Sequence, residues 1–421
     1  MIIKLLGSIK ETTLDNAQQT IWKNAQFLYL YIGNSISLLT MQIFTLIIPI
    51  IIFEMKQSTL AMSTMRIIEV LPNILFGMLL GALVDRFNRS NRLRQFLLFT
   101  VILQMLLLGG IMFFVSKNIL NLPVLYFVGL LLYTCSYAFS NAYTTTLPLM
   151  VHKRQLITAN SSITLMSTLI RILGPSVAGF LLIYMSKLWI LGIVIFSLAF
   201  LFICTFLMKV PPQEGTYNKK EEKFKDEIKY GWIELTRNKT LWTLTILALI
   251  FNFASSATSA VFIFFSLEDL KISTDKIGII FSFFGAGGII ASTVASKSKK
   301  FLPRGKIFYI TFVLSSIGYL ILFLTNSWII IAFSMMINGF CITIFTIHYI
   351  TLRQETTPNH LLGRVSGTSA MLMKLATPLG FLIAGILGEL IFIKYLFLAS
   401  AITIFLTSIY ILMAKSILKI N

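Results

Sequence analysis

The chain has 421 residues, of which 57% are hydrophobic and 12% are charged, and its formal net charge is +19. A soluble domain carries roughly 25% charged residues, so the composition excludes an ordinary water-soluble globular protein. The net positive charge would suit a nucleic-acid partner, but the cations lie in short segments between long apolar blocks, which is typical of membrane topology. We therefore expect an integral membrane protein with no nucleic-acid partner.

The N-terminus and the cysteines add little chemistry. Residues 1–24 are mixed polar, and the apolar block that follows is too long for the core of a signal peptide, so it should remain as the first membrane helix. Cys135, Cys204 and Cys341 lie far apart inside apolar blocks. Their spacing indicates neither a metal site nor a disulfide framework.

The apolar blocks predict twelve membrane helices, because each is long enough to cross roughly 30 Å of hydrocarbon. The predicted spans are 27–53, 60–84, 95–116, 123–150, 158–184, 187–208, 241–267, 277–296, 307–325, 327–351, 366–388 and 394–414. The predicted fold class is an all-α membrane protein with two six-helix bundles. Its predicted parts are a cytoplasmic segment 1–24, a bundle 25–208, a cytoplasmic linker 209–240, a bundle 241–414 and a cytoplasmic tail 415–421.

The positive charges are distributed unevenly across the predicted membrane. About three quarters of the 35 lysines and arginines lie in the termini, the linker and the loops after even-numbered spans. The other side carries only Lys56, Lys117, Lys187, Lys271, Lys276 and Lys394. Loops rich in Lys and Arg stay in the cytoplasm, so we expect both termini there, in a cell membrane.

The linker contains an amphipathic pattern. Phe224, Ile228, Trp232 and Leu235 recur at helical spacing among basic residues. This pattern suits a helix that lies on the inner membrane surface. A passive tether between the halves is the simpler interpretation, and a lipid or partner contact is the other.

The two halves look like weak repeats of each other. Arg171 in span five and Lys374 in span eleven each precede a proline by four residues, Pro175 and Pro378, within a small-residue segment. Repeated bundles around a midplane site are typical of secondary transporters. The pattern therefore favours two bundles that open a central site to either side in turn.

The most specific local motif closes span two. Gly81, Asp85, Arg86 and Arg89 stand at the end of the helix and in the following loop. We expect Gly81 to let a neighbouring helix approach and Asn88 to adopt the left-handed turn conformation. The motif resembles the loop signature of the major facilitator superfamily, with Asn88 where that family has a glycine. The alternative is a basic loop with an incidental acid.

Further stretches resemble the macrolide-efflux branch of drug exporters in that superfamily. They are Ser35–Thr40, Glu69–Arg86, Gly174–Gly179 and Leu361–Val365. The resemblance covers nearly the whole chain and implies export driven by an inward proton gradient. It also implies that Gly174, Pro175 and Gly179 form an antiporter-like motif. Many members carry an acid early in span one, where this chain has Met41 and Gln42.

Charges inside the spans are the candidates for proton coupling, since each costs roughly 2.5–3.5 kcal/mol on insertion. Glu69 is the only acid near the middle of a predicted span, and Arg66 lies on the same helical face. The resemblance implies that spans two and eleven face each other, so we expect Glu69 to pair with Lys374 in one access state and to release it on protonation. The alternative is a static Arg66–Glu69 pair. Arg171 and Lys374 either bond carbonyls freed by the prolines or face the cavity, where they would favour acidic or neutral amphiphiles.

Five uncharged polar residues are candidate cavity residues, because the resemblance implies that spans one, four, seven and ten line the cavity. They are Asn34, Gln42, Asn141, Asn252 and Asn338. The alternative is that they form hydrogen bonds between helices.

The sequence lacks a phosphate-binding loop and the motifs of zinc and serine hydrolases, which argues against an ATP-driven pump or an enzyme. No cofactor or metal is expected. We expect a monomeric secondary transporter that exports amphiphilic drugs or antibiotics such as macrolides in exchange for protons. The alternative cargoes are a siderophore, a peptide antibiotic or a lysolipid, and the alternative class is a non-transporting receptor or scaffold.

Overall fold

A computed structural model of the chain describes residues 21–152, 155–211, 232–357, 362–414 and 418. Most of the predicted N-terminal segment, linker residues 212–231 and most of the C-terminal tail lie outside these residues. So do the side chains of Asp85, Arg89, Arg171 and Pro175, although their backbone is helical.

The described residues fold into α-helices joined by short connections. The helices are α1 (Ala25–Met55), α2 (Thr59–Leu75), α3 (Gly77–Arg89), α4 (Leu93–Ser116), α5 (Leu122–Met150), α6 (Leu156–Tyr184), α7 (Lys187–Leu207), α8 (Lys239–Phe264), α9 (Thr274–Phe301), α10 (Arg304–Leu324), α11 (Trp328–Thr356), α12 (Leu362–Leu390) and α13 (Lys394–Met413). A π-helical turn, Phe265–Asp269, extends α8.

The helices confirm the predicted fold class. Among the described residues, ten helices are long and apolar enough to cross a membrane, and α2 with α3 makes an eleventh as one broken span. The 29-residue α6 occupies the remaining predicted span, 158–184. Each predicted span therefore has its helix, with ends that differ by only a few residues.

The predicted second span is bent rather than straight. The axes of α2 and α3 differ by 60° across a break at Phe76. Pro72 lies inside the last turn of α2, where it removes one backbone donor and crowds the preceding turn. A bend of this size near a proline and a following glycine, Gly77, has an ordinary steric cause.

The described helices form two compact units. Unit one comprises Met1–Phe44, Leu71–Arg171 and Lys187–Thr216, and unit two comprises Thr45–Val70, Ile172–Ser186 and Tyr217–Asn421. Unit two thus contains the end of α1, most of α2 and the end of α6 together with the C-terminal helices. The predicted division at the linker 209–240 stays a prediction.

Unit one is held by contacts between helices distant in sequence. The amide of Asn24 donates to the carbonyl of Met150 at 2.9 Å, which ties the start of α1 to the end of α5. A Cβ on Gly33 would lie 3.0 Å from Leu201 on α7, so this glycine lets α1 and α7 approach closely. Arg94 at the start of α4 donates to the carbonyl of Phe206 at the end of α7.

Unit two has an aromatic core and an ion pair made by a buried arginine. Phe251, Phe312 and Phe345 join α8, α10 and α11, with ring centroids 5.1–5.5 Å apart. Arg304 is 2% exposed and donates from both terminal nitrogens to the carboxylate of Glu355, at 2.5 and 2.7 Å. This bidentate pair fixes the start of α10 to the end of α11, at the helix ends nearest the linker.

Candidate functional site

The candidate site begins where N-terminal segments pack on C-terminal helices inside unit two. Consecutive spans run in alternating directions, so one set of helix ends faces the linker and the other lies remote from it. We call these the linker side and the far side. The end of α1, the start of α2 and the end of α6 are on the far side, and so are the end of α8, the start of α9 and the end of α12.

A carboxylate caps the far-side start of α2. Glu389, in the last turn of α12, accepts a hydrogen bond from the hydroxyl of Ser58 at 2.5 Å and another from the backbone N–H of Leu60 at 3.1 Å. The first N–H groups of a helix have no partner within the helix, and a negative charge there is favourable. One side chain of α12 therefore satisfies the start of a helix from the other half of the sequence.

Small residues bring the same two helices close together. A Cβ on Gly385 would stand 2.6 Å from the Cβ of Ser63, and one on Gly388 would stand 2.8 Å from the hydroxyl of Thr59. The Thr59 hydroxyl also donates to the carbonyl of Gly385 at 3.0 Å. Close approach through small residues with interhelical hydrogen bonds is the usual means of helix association in lipid.

A second glycine contact joins α6 to α9. A Cβ on Gly179 would lie 2.3 Å from the carbonyl oxygen of Gly278, and a Cβ on Gly278 would lie 2.1 Å from the carbonyl oxygen of Gly179. No side chain fits between the two backbones. Gly179 belongs to the predicted antiporter-like motif, and its partner Gly278 was not anticipated from the sequence.

These contacts close part of the far side through backbone approaches and hydrogen bonds as well as apolar packing. Phe53 and Phe264 add one edge-to-face ring contact at 5.6 Å between the ends of α1 and α8. Met62 and Met65 on α2 are 1% and 2% exposed, and Ile67 and Val70 pack against the hydrophobic core of unit two. Because the glycine contacts leave no room for larger side chains, this closure depends on close backbone geometry.

Loss of the Glu389 cap is expected to loosen this contact. Ser63 is fully buried, and its hydroxyl makes no hydrogen bond among the described residues, so cysteine at this position is a mild reporter of far-side opening. In a Ser63→Cys background, Glu389→Ala should raise the labelling rate by a membrane-impermeant maleimide about tenfold, since hydrogen bonds to charged groups contribute roughly 1.5–3 kcal/mol.

The matched control for that prediction is Glu389→Gln, whose side-chain carbonyl still accepts from Ser58 and Leu60. It should raise the rate by clearly less than Glu389→Ala does. Equal labelling of Ser63→Cys in wild type and Glu389→Ala would show that the cap contributes nothing to closure.

The structure pairs the candidate proton site with its neighbour on the same helix. A terminal nitrogen of Arg66 lies 3.2 Å from a carboxylate oxygen of Glu69, and the two side chains are 14% and 29% exposed. This is the static arrangement that the sequence analysis left as the alternative. Lys374 has an exposed side chain on α12. A pairing of Glu69 with Lys374 stays a prediction.

The loop motif is helical for most of its length. Gly81, Asp85 and Arg86 all lie on α3, which ends at Arg89, and the side chain of Arg86 is exposed. Among the described atoms, nothing lies within 4 Å of a Cβ built on Gly81, so the close approach expected there does not occur in this structure.

The left-handed residue of that turn was also misplaced by the sequence analysis. Asn88 is the penultimate residue of α3, and its carbonyl accepts from the N–H of Asn91 at 3.0 Å. Asn91 carries the positive φ of 55°. Asparagine tolerates this conformation, but the helix continues one turn farther than the motif alone indicates.

Asn338 lies between helices rather than on an open surface. It is 2% exposed, and its amide oxygen accepts from Ser315 on α10 at 3.0 Å while its amide nitrogen donates to the carbonyl of Ser334 at 3.2 Å. A Cβ on Gly318 would lie 2.6 Å from that nitrogen, so the glycine makes room for the amide. The structure thus supports the interhelical alternative at this position.

The other four cavity candidates are all half-buried. Asn34 and Gln42 lie on α1 and Asn141 lies on α5, all in unit one. Asn252 lies on α8 in unit two and donates to the carbonyl of Ala248, one turn earlier, at 2.8 Å. Their contact with a substrate stays a prediction.

The span-five motif is helical throughout. Gly174 and Gly179 are buried on α6, and Pro175 and Arg171 lie on the same helix. The three cysteines are buried thiols, and within the described part of the chain no three His, Cys, Asp or Glu side chains are grouped to hold a metal.

Sequence reasoning missed the far-side partners Glu389, Ser58 and Gly278. Two signals were present: Ser58 and Thr59 directly before an apolar block are typical of a helix start, and Gly385-x-x-Gly388 is typical of a helix contact. Neither signal identifies the partner residue, because the contacts between α2 and α12 join residues more than 300 positions apart.

Comparison with known proteins identifies the class. The chain matches the family model described as Major Facilitator Superfamily over residues 30–373 and 253–418. The chain therefore belongs to the major facilitator superfamily and is a multi-pass membrane transporter.

Among named relatives, the chain is similar to Macrolide efflux protein A of Streptococcus pyogenes, with 22% identity over 404 residues that cover 95% of this chain and 98% of the relative. Macrolide efflux protein A of Enterococcus faecalis is also 22% identical, over 321 residues that cover 75% of this chain and 98% of the relative. These similarities confirm the resemblance to the macrolide-efflux branch.

Solved structures confirm the fold. A bacterial homologue of the human lysosomal transporter Spinster, inward-facing and unoccupied, has a TM-score of 0.66 at 12% identity, covering 94% of this chain and 97% of that one. The nucleoside transporter NupG has a TM-score of 0.68 at 14% identity, covering 94% of this chain and 100% of that one. A bacterial homologue of the iron transporter ferroportin, in an inward-facing state, has a TM-score of 0.67 at 14% identity, covering 93% of this chain and 99% of that one.

Proposed function

We propose that the protein exports amphiphilic drugs or antibiotics, such as macrolides, in exchange for protons. In this proposal the linker side is cytoplasmic, because it carries most of the lysines and arginines. The far side is then extracellular, and the contact of α2 and α6 with α12 and α9 is an outer gate.

The observation that carries the proposal is the construction of this gate. Glycine approaches, short hydroxyl side chains and one capping carboxylate join segments from the two halves of the sequence. A transporter that exposes its site to each side in turn needs a contact between the two halves of the sequence that closes with defined geometry. The similarity to two macrolide efflux proteins supports the direction and the class of cargo.

Proton coupling is assigned to Glu69 in this proposal. Its carboxylate is partly buried beside Arg66 in a span, where an unpaired charge is costly. Protonation would remove its attraction to either cation, Arg66 or Lys374. A carboxylate that exchanges partners between access states would couple the inward proton gradient to α2, the helix whose start the Glu389 cap holds.

The test is reconstitution of the full chain in liposomes with an imposed pH gradient. We expect a macrolide to move against its own gradient only while the pH gradient lasts, and a protonophore to stop the flux. Empty liposomes are the control, and the panel includes a siderophore, a peptide antibiotic and a lysolipid. Flux of one of these without macrolide flux would reassign the cargo, and proton flux that responds to none of them would contradict the proposal.

A further inference from the structure

Unit two contains a groove that the transport proposal does not use. It lies between α8 and α13 and is lined by Trp242, Ile246, Ile250, Phe253, Thr407 and Tyr410, with a volume of about 800 Å³. We call it the α8–α13 groove. Its volume is within the roughly 300–1,000 Å³ of small-molecule sites. On its α13 wall, Leu406 and Tyr410 are 58% and 53% exposed, so the groove opens sideways.

The depth of the groove matches one leaflet of a bilayer. Trp242 is three residues from the linker-side start of α8, and Phe253 lies eleven residues farther along. At 1.5 Å per residue this is about 16 Å, or half of the roughly 30 Å hydrocarbon core. An apolar groove of this depth with a lateral opening suits an acyl chain of the linker-side leaflet.

The mouth of the groove is positively charged. Lys239 begins α8, and its carbonyl accepts from the Thr243 hydroxyl at 2.8 Å, so the two residues lie one turn apart on the lining face. Arg237 precedes it, and both side chains are exposed. Neither cation forms an ion pair with another described residue, and the nearby Glu234 leaves the net charge positive.

Aromatic rings stand at the same level. Trp232 and Trp242 meet edge to face at 5.4 Å between centroids, and Trp242 follows Lys239 by three residues on α8. Tryptophan is enriched where lipid headgroups meet hydrocarbon, and clustered cations there attract anionic lipids. We propose that the α8–α13 groove binds an anionic phospholipid, with an acyl chain against Ile246 and Ile250 and the phosphate at Lys239 and Arg237.

The test uses native mass spectrometry of the purified full chain, with phosphatidylglycerol or phosphatidylcholine of identical acyl chains. The wild-type protein should retain phosphatidylglycerol at least fivefold better than phosphatidylcholine. Lys239→Gln should lower the retention of phosphatidylglycerol at least threefold and leave the retention of phosphatidylcholine unchanged. The charge control is Lys306→Gln on α10, an exposed linker-side cation that does not line the groove, and it should behave as wild type.

Substitutions that fill the groove test the binding of the acyl chain separately from the binding of the phosphate at Lys239 and Arg237. Ile246→Trp should lower the retention of both lipids at least fivefold, and Leu406→Trp on the exposed α13 wall should do the same if Ile246→Trp does not fold. Ile317→Trp, at a 43% exposed position on α10, is the volume control. Equal retention of the two lipids by wild type, unchanged retention in both groove variants, or displacement by millimolar inorganic phosphate would each overturn the proposal. A segment of this chain that covers the groove in place of lipid would also overturn the proposal.

Discussion

Gly179→Ala is expected to reduce efflux at least tenfold and to leave the protein folded. The new Cβ would lie 2.3 Å from the carbonyl oxygen of Gly278, where ordinary contacts are 3.4–4 Å. Since both partners are helix backbone, α6 and α9 must move apart by about 1 Å, and overpacking of this kind costs roughly 1–3 kcal/mol. That cost falls on the closed far side, so the variant should favour the state in which this side is open.

The measurement pairs drug accumulation in cells with labelling of Ser63→Cys from outside, which should rise with the loss of efflux. Gly278→Ala should have the same effect, because its Cβ would lie 2.1 Å from the carbonyl oxygen of Gly179. Gly192→Ala is the matched control, since no described atom lies within 4 Å of a Cβ at that position on α7. Normal efflux in Gly179→Ala with normal Ser63→Cys labelling would show that the glycine contact is dispensable.

Hydrophobic length was enough to predict the helices, for a physical reason. In lipid, every backbone donor and acceptor must be satisfied within a helix, so an apolar block of about 20 residues has one available structure. The break at Phe76 escaped prediction although Pro72 was visible. A proline in a membrane span is tolerated when neighbours satisfy the freed groups, and sequence does not show which neighbours are present.

Side-chain partners were harder to predict than helices. Asn338 shows why. The side-chain amide of a buried asparagine in a span can form hydrogen bonds either with a neighbouring helix or with a substrate, and only the positions of Ser315 and Gly318 decide between the two. Glu389 was passed over because it stands at a helix end, where an acid is inexpensive and common. Its role as a cap depends on Ser58, which is 331 positions away in the sequence.

Glu69→Gln is expected to abolish the pH-gradient dependence of transport while the protein still folds and binds cargo. Glutamine resembles the protonated carboxyl group in shape but does not titrate, so it cannot release a cation when a proton arrives. In liposomes, drug flux should become independent of an imposed pH gradient and fall to the level seen with a protonophore. The matched control is Glu268→Gln, because Glu268 forms an ion pair of the same i,i+3 spacing with Lys271 at 2.8 Å.

Two further variants distinguish a static pair from a partner exchange at Glu69. If Glu69 couples protons through its pair with Arg66 alone, then Arg66→Gln should weaken coupling and Lys374→Gln should not. If Glu69 moves between the two cations, each substitution should remove one of the two states, and both should uncouple drug flux from the proton gradient. Coupling that survives in Glu69→Gln would remove this carboxylate from the mechanism. In that case, the 3.2 Å contact between Arg66 and Glu69 would serve only to neutralise two charges within a span.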